Sequence, residues 1–124
     1  MNVVDSSGWL EYFANAPNAG FFAPAIEAVS QLVVPTISLY EVFKRILQQK
    51  TEDEAIRAVA VMMQGSVVDL TPALALRAAT VALRQHLPMA DSVMLATAQA
   101  FDATLWTQDA DFRDISGVRY IEKA

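Results

Sequence analysis

The stretch Ala103-Thr104-Leu105-Trp106-Thr107-Gln108-Asp109 decides the fold class of this chain. It is a short apolar run with turn signals on either side, which predicts a strand from Ala103 to Thr107 and an aspartate just beyond its end. Similar runs recur, and the other predicted strands are Asn2 to Asp5, Leu32 to Pro35, Ser66 to Leu70 and Val118 to Ile121. Helical patterns separate them, so we predict an α/β fold with a mostly parallel five-stranded sheet.

Several helices are predicted from their starts and their apolar faces. The start signals are a capping box from Thr51 to Glu54, the pair Thr71-Pro72, Ser6 or Ser7 as a cap, and Pro88. The stretch Thr36 to Gln49 has an amphipathic pattern, with apolar residues at helical spacing: Leu39, Val42, Phe43, Ile46 and Leu47.

Composition limits the possible classes of protein. The chain has 124 residues and 54% hydrophobic content, which predicts one domain over residues 1–124. No uncharged span of about 18 residues and no signal-like start are present, so a cytoplasmic protein without a membrane helix is expected. The absence of cysteine excludes disulfides and thiolate metal sites. The formal charge of −5 argues against a broad basic surface for nucleic acid, although bound cations would offset part of it.

Four acidic residues are the candidates for chemistry. Asp5 and Asp109 follow predicted strands, whereas Glu41 and Asp91 lie within apolar helical patterns. Because the carboxyl ends of parallel strands meet at one edge of a sheet, these acids can converge there. A purely carboxylate site favours Mg²⁺ or Mn²⁺. Two other readings stay open: Glu41 can pair with Arg45 on the helix surface, and Asp91 can complement a helix N-terminus.

These residues resemble the PIN-domain nucleases, and within that family the VapC-like toxins of toxin–antitoxin pairs. The resemblance covers essentially the whole chain and is carried by these motifs: Val3-Val4-Asp5-Ser6-Ser7, Leu39-Tyr40-Glu41-Val42, Leu87-Pro88-Met89-Ala90-Asp91, and Ala103 to Phe112. It implies a three-layer α/β/α fold with strand order 3-2-1-4-5. It also implies a metal-dependent endoribonuclease whose Mg²⁺ or Mn²⁺ is bound by the catalytic acids Asp5, Glu41, Asp91 and Asp109.

The resemblance further implies supporting residues and partners. Thr107, Ser6 and Asp111 match positions beside the acids, and Lys44 and Arg45 are candidates for contacts with RNA phosphates, with Arg84 and Arg113 as weaker ones. Three aromatic residues predict an apolar groove for an antitoxin helix, because one small core is not expected to bury all of them: Trp9, Phe13 and Phe22. The apolar stretches Ala73 to Leu83 and Met89 to Phe101 predict a homodimer contact.

Other acids and other functions are weighed against this reading. Asp69 is interpreted as turn chemistry and Glu52 to Glu54 as a helix start. His86, near a helix end, is interpreted as a dipole partner. The alternative functions are a catalytically silent PIN-like binding module, a nuclease without an antitoxin, and a receiver-like signalling domain. The last ranks low because it requires a second acid beside Asp5, where the chain has Ser6-Ser7.

Overall fold

The protein is built on one parallel sheet. The computed structural model describes residues 1–124. Its strands are β1 (Asn2–Val4), β2 (Leu32–Pro35), β3 (Ser66–Val68), β4 (Thr104–Thr107) and β5 (Val118–Tyr120). They are arranged β3-β2-β1-β4-β5, and every neighbouring pair is parallel. The predicted order is therefore observed, and the sheet is parallel throughout.

Six α-helices connect the strands. They are α1 (Ser6–Phe13), α2 (Ala19–Glu27), α3 (Thr36–Gln49), α4 (Glu52–Met62), α5 (Pro72–Gln85) and α6 (Met89–Ala100), with short 3₁₀ turns at Val29–Gln31 and Ala110–Phe112. Two predicted caps are confirmed: the hydroxyl of Thr51 accepts a hydrogen bond from the backbone of Glu54, and that of Thr71 from Leu74. None of the helices has both the length and the hydropathy needed to cross a membrane.

The start of α1 differs from the prediction by one residue. The capping position is Asp5 rather than Ser6 or Ser7. Its backbone is still extended, and its carbonyl already accepts hydrogen bonds from the backbone N–H groups of Gly8 and Trp9. Strand β1 therefore ends at Val4, and the Asp5 side chain makes no cap and remains available for other contacts.

Two apolar cores enclose the sheet, giving three layers. Side chains alternate along each strand, so Val4 faces the helices α1 to α4 while Val3 faces α5 and α6. The same alternation separates Trp106 from Leu105 on β4. Burial on both faces explains why the strands are continuous apolar runs rather than alternating ones. The three-layer α/β/α prediction is confirmed.

The aromatic residues of the first two helices belong mainly to the core. Trp9 is 1% exposed and Phe22 is fully buried, so the prediction that both supply an open groove is wrong. They fill the space between the sheet and α1 to α4, where each fully buried side chain of this size stabilises the fold by about 1.5–3 kcal/mol. Phe13 alone of the three remains partly accessible.

Helix α6 is also buried. The prediction that it contributes to a dimer contact requires an exposed apolar face, and most of the helix has none. Residues Ser92 to Ala98 are all buried between the sheet and α5. Only the ends of the helix reach the surface, at Met89 and, just beyond it, Phe101. An apolar pattern on every side here reflects burial within one subunit.

Candidate functional site

The topology brings the candidate acids to one edge of the sheet. Strands β1 and β4 are neighbours, and the chain leaves the carboxyl end of β1 toward β2 but that of β4 toward β5, so the two connections diverge and open a crevice between them. Asp5 directly follows β1, and Asp109 follows the neighbouring strand β4 after one intervening residue. Asp91 lies in the first turn of α6, and Glu41 lies in the second turn of α3.

Three carboxylates form the tightest cluster at this edge. Asp91, Asp109 and Asp111 each offer an oxygen, and these oxygens all lie within 4.8 Å of one another. Asp109 also accepts a hydrogen bond from the backbone N–H of Asp111 at 2.9 Å, which closes a short turn and holds both side chains at the same place. Asp111, a supporting residue in the sequence analysis, is therefore a full member of this cluster.

Asp5 lies behind the cluster and is fixed by two hydroxyl groups. Its Oδ2 accepts hydrogen bonds from Ser7 at 2.7 Å and from Thr107 at 2.9 Å. Burial raises the pKa of Asp5, against the lowering effect of these two hydrogen bonds, and the charges of Asp109 and Glu41 raise it further. Its Oδ1 accepts no hydrogen bond from the protein, so one oxygen remains free for a ligand.

Thr107 couples the two strand ends. Its hydroxyl donates to Asp5 and accepts a hydrogen bond from the backbone N–H of Asp109 at 2.9 Å. Because Thr107 is fully buried, this hydroxyl has little freedom to choose other partners. The predicted supporting position of Thr107 is thus a bridge between Asp5 and Asp109.

Glu41 is joined to the site through α1 rather than paired with a base. Its Oε1 accepts a hydrogen bond from Ser6 at 2.7 Å, and the chain's single ion pair joins Arg113 to Glu122. The alternative reading, a surface pair between Glu41 and Arg45, is therefore wrong. Glu41 is not one of the three clustered carboxylates, but its charge reaches both Asp5 and Asp91.

The clustered charges are not balanced by the protein. Burial, which has the largest effect, and the charges of Asp5, Asp109, Glu41 and Asp111 together raise the pKa of Asp91 to about 7. No Lys, Arg or His side chain lies within 4.0 Å of any of these carboxylates. Like charges at this spacing are unfavourable unless a proton or a cation is present.

The raised pKa of Asp91 makes the stability of the metal-free protein depend on pH. The folded pKa of about 7 exceeds the ordinary value of 3.8, so the folded state holds an extra proton between these values. We expect the free energy of unfolding in EDTA to fall as pH rises through this window, by about 1–2 kcal/mol after allowance for solvent screening of a half-buried group. Thermal melts at pH 5 and pH 8 test this, and a flat or rising profile would contradict it.

A buried amide network beside the acids was not anticipated from the sequence. Gln108 lies between Thr107 and Asp109, and its side-chain oxygen accepts from Asn18 at 2.9 Å. Its amide nitrogen donates to Glu11 at 3.1 Å and to the backbone carbonyl of Ser7 at 3.4 Å. The network ties the loop that carries Asp109 to the helix that carries Ser6 and Ser7. The only signal in the sequence was the position of Gln108 between two candidate residues.

The basic candidates lie on different elements of the fold. Lys44 and Arg45 are exposed on α3 and line a small concavity together with Glu41. Arg113 is directed elsewhere: it contacts the Tyr120 ring and pairs with Glu122 at 3.7 Å. Arg84 lies in the last turn of α5, a helix that begins beyond the edge strand β3. Lys44 and Arg45 are thus the basic candidates that share a concavity with a candidate acid.

The excluded residues lie outside the cluster, as expected. Asp69 follows the edge strand β3, and Glu52 to Glu54 form the first turn of α4. His86 ends α5 in the left-handed conformation with φ of 56°, away from the clustered carboxylates. The metal-ligand chemistry available at the sheet edge therefore comes from oxygen atoms alone.

The donor set fits a hard divalent cation. Asp91 accepts no hydrogen bond from the protein, and Asp5 has one oxygen free of protein donors. Carboxylate oxygens without nitrogen or sulfur ligands are the preference of Mg²⁺, Mn²⁺ and Ca²⁺. The uncompensated charge and the free oxygens together make this edge a candidate metal centre.

Comparison with known proteins agrees with the fold. Among solved structures, a toxin–antitoxin complex from Klebsiella pneumoniae has a TM-score of 0.80 at 23% identity, with 96% of each chain covered. VapC20 of Mycobacterium tuberculosis, described as a sarcin–ricin loop cleaving toxin, has a TM-score of 0.75 at 17% identity, over 90% of this chain and 92% of its own. DNA-bound VapBC from Salmonella typhimurium has a TM-score of 0.75 at 15% identity, over 98% and 97%.

At these identities the solved structures establish the shared fold. A search of curated protein sequences finds no match. The family model of the PIN domain, however, matches residues 3–118, which include every clustered acid. The protein therefore belongs to the PIN domain family.

Proposed function

We propose that the protein is a metal-dependent endoribonuclease and the toxin of a toxin–antitoxin pair. The observation that carries the proposal is the cluster of Asp91, Asp109 and Asp111, whose oxygens lie within 4.8 Å without a neutralising base. Membership of the PIN domain family supports nuclease activity. RNA as the substrate is supported by the description of the similar VapC20 as a toxin that cleaves the sarcin–ricin loop.

In this proposal the acids hold the cation and the neighbouring residues hold the acids. Asp91, Asp109 and Asp111 are the proposed ligands that lie closest together. Asp5 contributes its free Oδ1, and Glu41 adds a further negative charge to the site. When bound, Mg²⁺ or Mn²⁺ supplies Lewis-acid activation and charge neutralisation for phosphodiester hydrolysis.

Each supporting hydroxyl positions one of the acids. Thr107 and Ser7 orient Asp5, while Ser6 fixes Glu41. Because these donors are built into the first turn of α1 and the end of β4, the carboxylates are pre-organised before any cation or substrate arrives.

The first test measures whether RNA cleavage depends on the metal. Purified protein is expected to cut a single-stranded RNA in Mg²⁺ or Mn²⁺, and excess EDTA is expected to stop cleavage until the metal is restored. Cleavage is read from end-labelled RNA on a denaturing gel. Metal-linked thermal stabilisation without any cleavage would instead support a catalytically silent binding module, and cleavage that persists in EDTA would contradict the proposal.

The antitoxin is proposed to bind a groove between α1, α3 and α4. The groove has a volume of about 590 Å³, and its apolar wall consists of Leu10, Phe13, Ala14, Ile46, Ala58 and Val61. Its basic residues are Arg45, Lys50, Arg57 and Lys123, against the acidic Glu11 and Glu54. This lining suits a partner segment with apolar and acidic side chains. Similar structures include VapBC complexes from Rickettsia felis and Salmonella typhimurium, which supports a partner of this kind.

A homodimer is proposed through the exposed face of α5. Leu76 and Leu83 lie two turns apart on this helix and are 73% and 81% exposed, and Met89 just beyond it is 74% exposed. Aligned apolar side chains with this exposure are typical of an interaction surface. We expect Leu76→Glu with Leu83→Glu to convert a dimer into a monomer at micromolar concentration. Light scattering after size exclusion measures the mass.

A matched control for the dimer is a pair of exposed apolar residues on the other side of the sheet. Leu47 on α3 and Ile56 on α4 are 44% and 51% exposed. Their replacement by Glu is expected to leave the dimer intact. A monomeric wild type, or dissociation by the control pair alone, would rule out the α5 contact.

A further inference from the structure

A small concavity opens beside Glu41 on the surface of α3. It has a volume of about 200 Å³ and is lined by Tyr40, Glu41, Lys44, Arg45 and Gln48. Tyr40, Lys44 and Gln48 follow one another at intervals of four residues, so they form a stripe along one side of the helix. Glu41, whose charge reaches Asp5 and Asp91, is the one acid in the lining, and the concavity runs from it toward the C-terminal end of α3.

Tyr40 is the unusual residue in this lining. It is 59% exposed and packs against neither apolar core. The ammonium group of Lys44 lies 5.6 Å from the centre of its ring, in cation–π contact. Since the ring remains largely accessible, there is room for a second planar partner beside it. The result is an aromatic ring with a positive charge over one face and accessible area left for a stacked base.

We propose that this concavity is a nucleotide subsite for an unpaired RNA strand. The proposal rests on the ribonuclease function and adds the element that holds the substrate next to the scissile bond. The base of one nucleotide stacks on Tyr40, and the adjoining phosphate contacts Lys44 and Arg45. Gln48 offers an amide donor and acceptor at the end of the stripe. A base within a duplex is already stacked and cannot use this ring, so the subsite selects single strands and loops.

The lining distinguishes this subsite from the groove proposed for the antitoxin. Tyr40 is its only hydrophobic lining residue, whereas the groove has six. Arg45 lines both and separates them. A concavity with one aromatic ring, two basic residues and an amide suits a nucleotide, while the apolar groove suits a protein segment. Tyr40 and Lys44 belong to the subsite alone and are the residues to test.

Binding to a labelled oligo(U) strand tests the subsite. Fluorescence anisotropy is measured in an Asp5→Asn background, so that the strand remains intact. Tyr40→Leu is expected to weaken binding about tenfold, because it removes a base-stacking contact, and Tyr40→Trp is expected to keep it. On an abasic strand of the same length, Tyr40→Leu is expected to have no effect. Lys44→Gln is expected to weaken the binding of both strands. It is also expected to lower the slope of log K against log salt concentration by about 0.7 in magnitude.

Matched controls lie on the opposite side of the molecule. Phe101→Leu replaces another exposed aromatic side chain, and Arg77→Gln replaces another exposed basic side chain. Both variants are expected to bind oligo(U) as tightly as the parent protein does. Three results would overturn the proposed subsite. They are unchanged oligo(U) binding by Tyr40→Leu, an equal loss of binding on the abasic strand, and a loss confined to binding of a partner protein. Such a result with intact cleavage by the wild type would leave the ribonuclease function standing. Absence of wild-type cleavage would instead count against that function.

Discussion

Asp91→Asn is expected to slow RNA cleavage by about two to three orders of magnitude while making the metal-free protein more stable. The substitution removes one of three carboxylates whose oxygens lie within 4.8 Å. Weaker binding of the metal removes about 3–4 kcal/mol of transition-state stabilisation, which corresponds to a decrease in rate of roughly 100- to 1000-fold. The same change relieves repulsion among Asp5, Asp91 and Asp109, so the free energy of unfolding in EDTA at pH 8 is expected to rise.

The opposite signs make this prediction specific. A variant that lost activity through misfolding would also lose stability, whereas here the two move apart. Stabilisation by Mg²⁺, measured as the rise in Tm on adding the metal, is expected to shrink in Asp91→Asn, because the ion binds the folded state less tightly. Asp5→Asn is likewise expected to lose cleavage and metal-linked stabilisation together.

Asp102→Asn provides the matched control. Asp102 is exposed just beyond the other end of α6 and has a φ of 52°, a conformation that Asn adopts readily. It changes the charge by the same amount outside the cluster, so cleavage and the response to Mg²⁺ should equal those of the wild type. Cleavage retained by Asp91→Asn, or an equal loss in Asp102→Asn, would argue against the assigned metal centre.

Two of the acids can be placed at one sheet edge from the sequence because each comes just after a predicted strand. Asp5 and Asp109 each follow a short apolar run, and parallel strands bring such ends to one edge. Asp91 stood out as a charge in a helix that is otherwise buried. Asp111 was harder to assign, since its membership depends on the turn closed by the hydrogen bond from its N–H to Asp109.

Long-range polar contacts were beyond the reach of the sequence. Glu11 and Asn18 look like ordinary surface residues, and only the fold brings them to Gln108, 97 and 90 positions later in the chain. Burial was misjudged for a related reason. The number of large aromatic residues predicts a groove at Trp9 and Phe22, but the sheet has a core on each face and the larger cluster accommodates both.

Gly8→Ala is expected to destabilise the fold by about 3 kcal/mol, although alanine is the better helix former. A Cβ added at Gly8 would lie 2.5 Å from Cε1 of Phe22 and 2.8 Å from Cγ1 of Val4. Both of these side chains are fully buried in the core, so neither can move aside without displacing its neighbours. Urea unfolding measures the change in free energy.

The comparison with Gly20→Ala separates steric crowding from helix propensity. Gly20 is exposed on α2, and a Cβ there would meet nothing within 4 Å, so this variant is expected to be unchanged or more stable by up to about 1 kcal/mol. Gly8 lies in the helix whose first turn supplies Ser6 to Glu41 and Ser7 to Asp5. Relief of the clash by a shift of α1 would therefore move both hydroxyls, and we expect cleavage to fall even where Gly8→Ala remains folded. Equal stability of the two variants would show that α1 can move away from the sheet. It would contradict the prediction that close packing of Gly8 on Phe22 leaves no room for a Cβ.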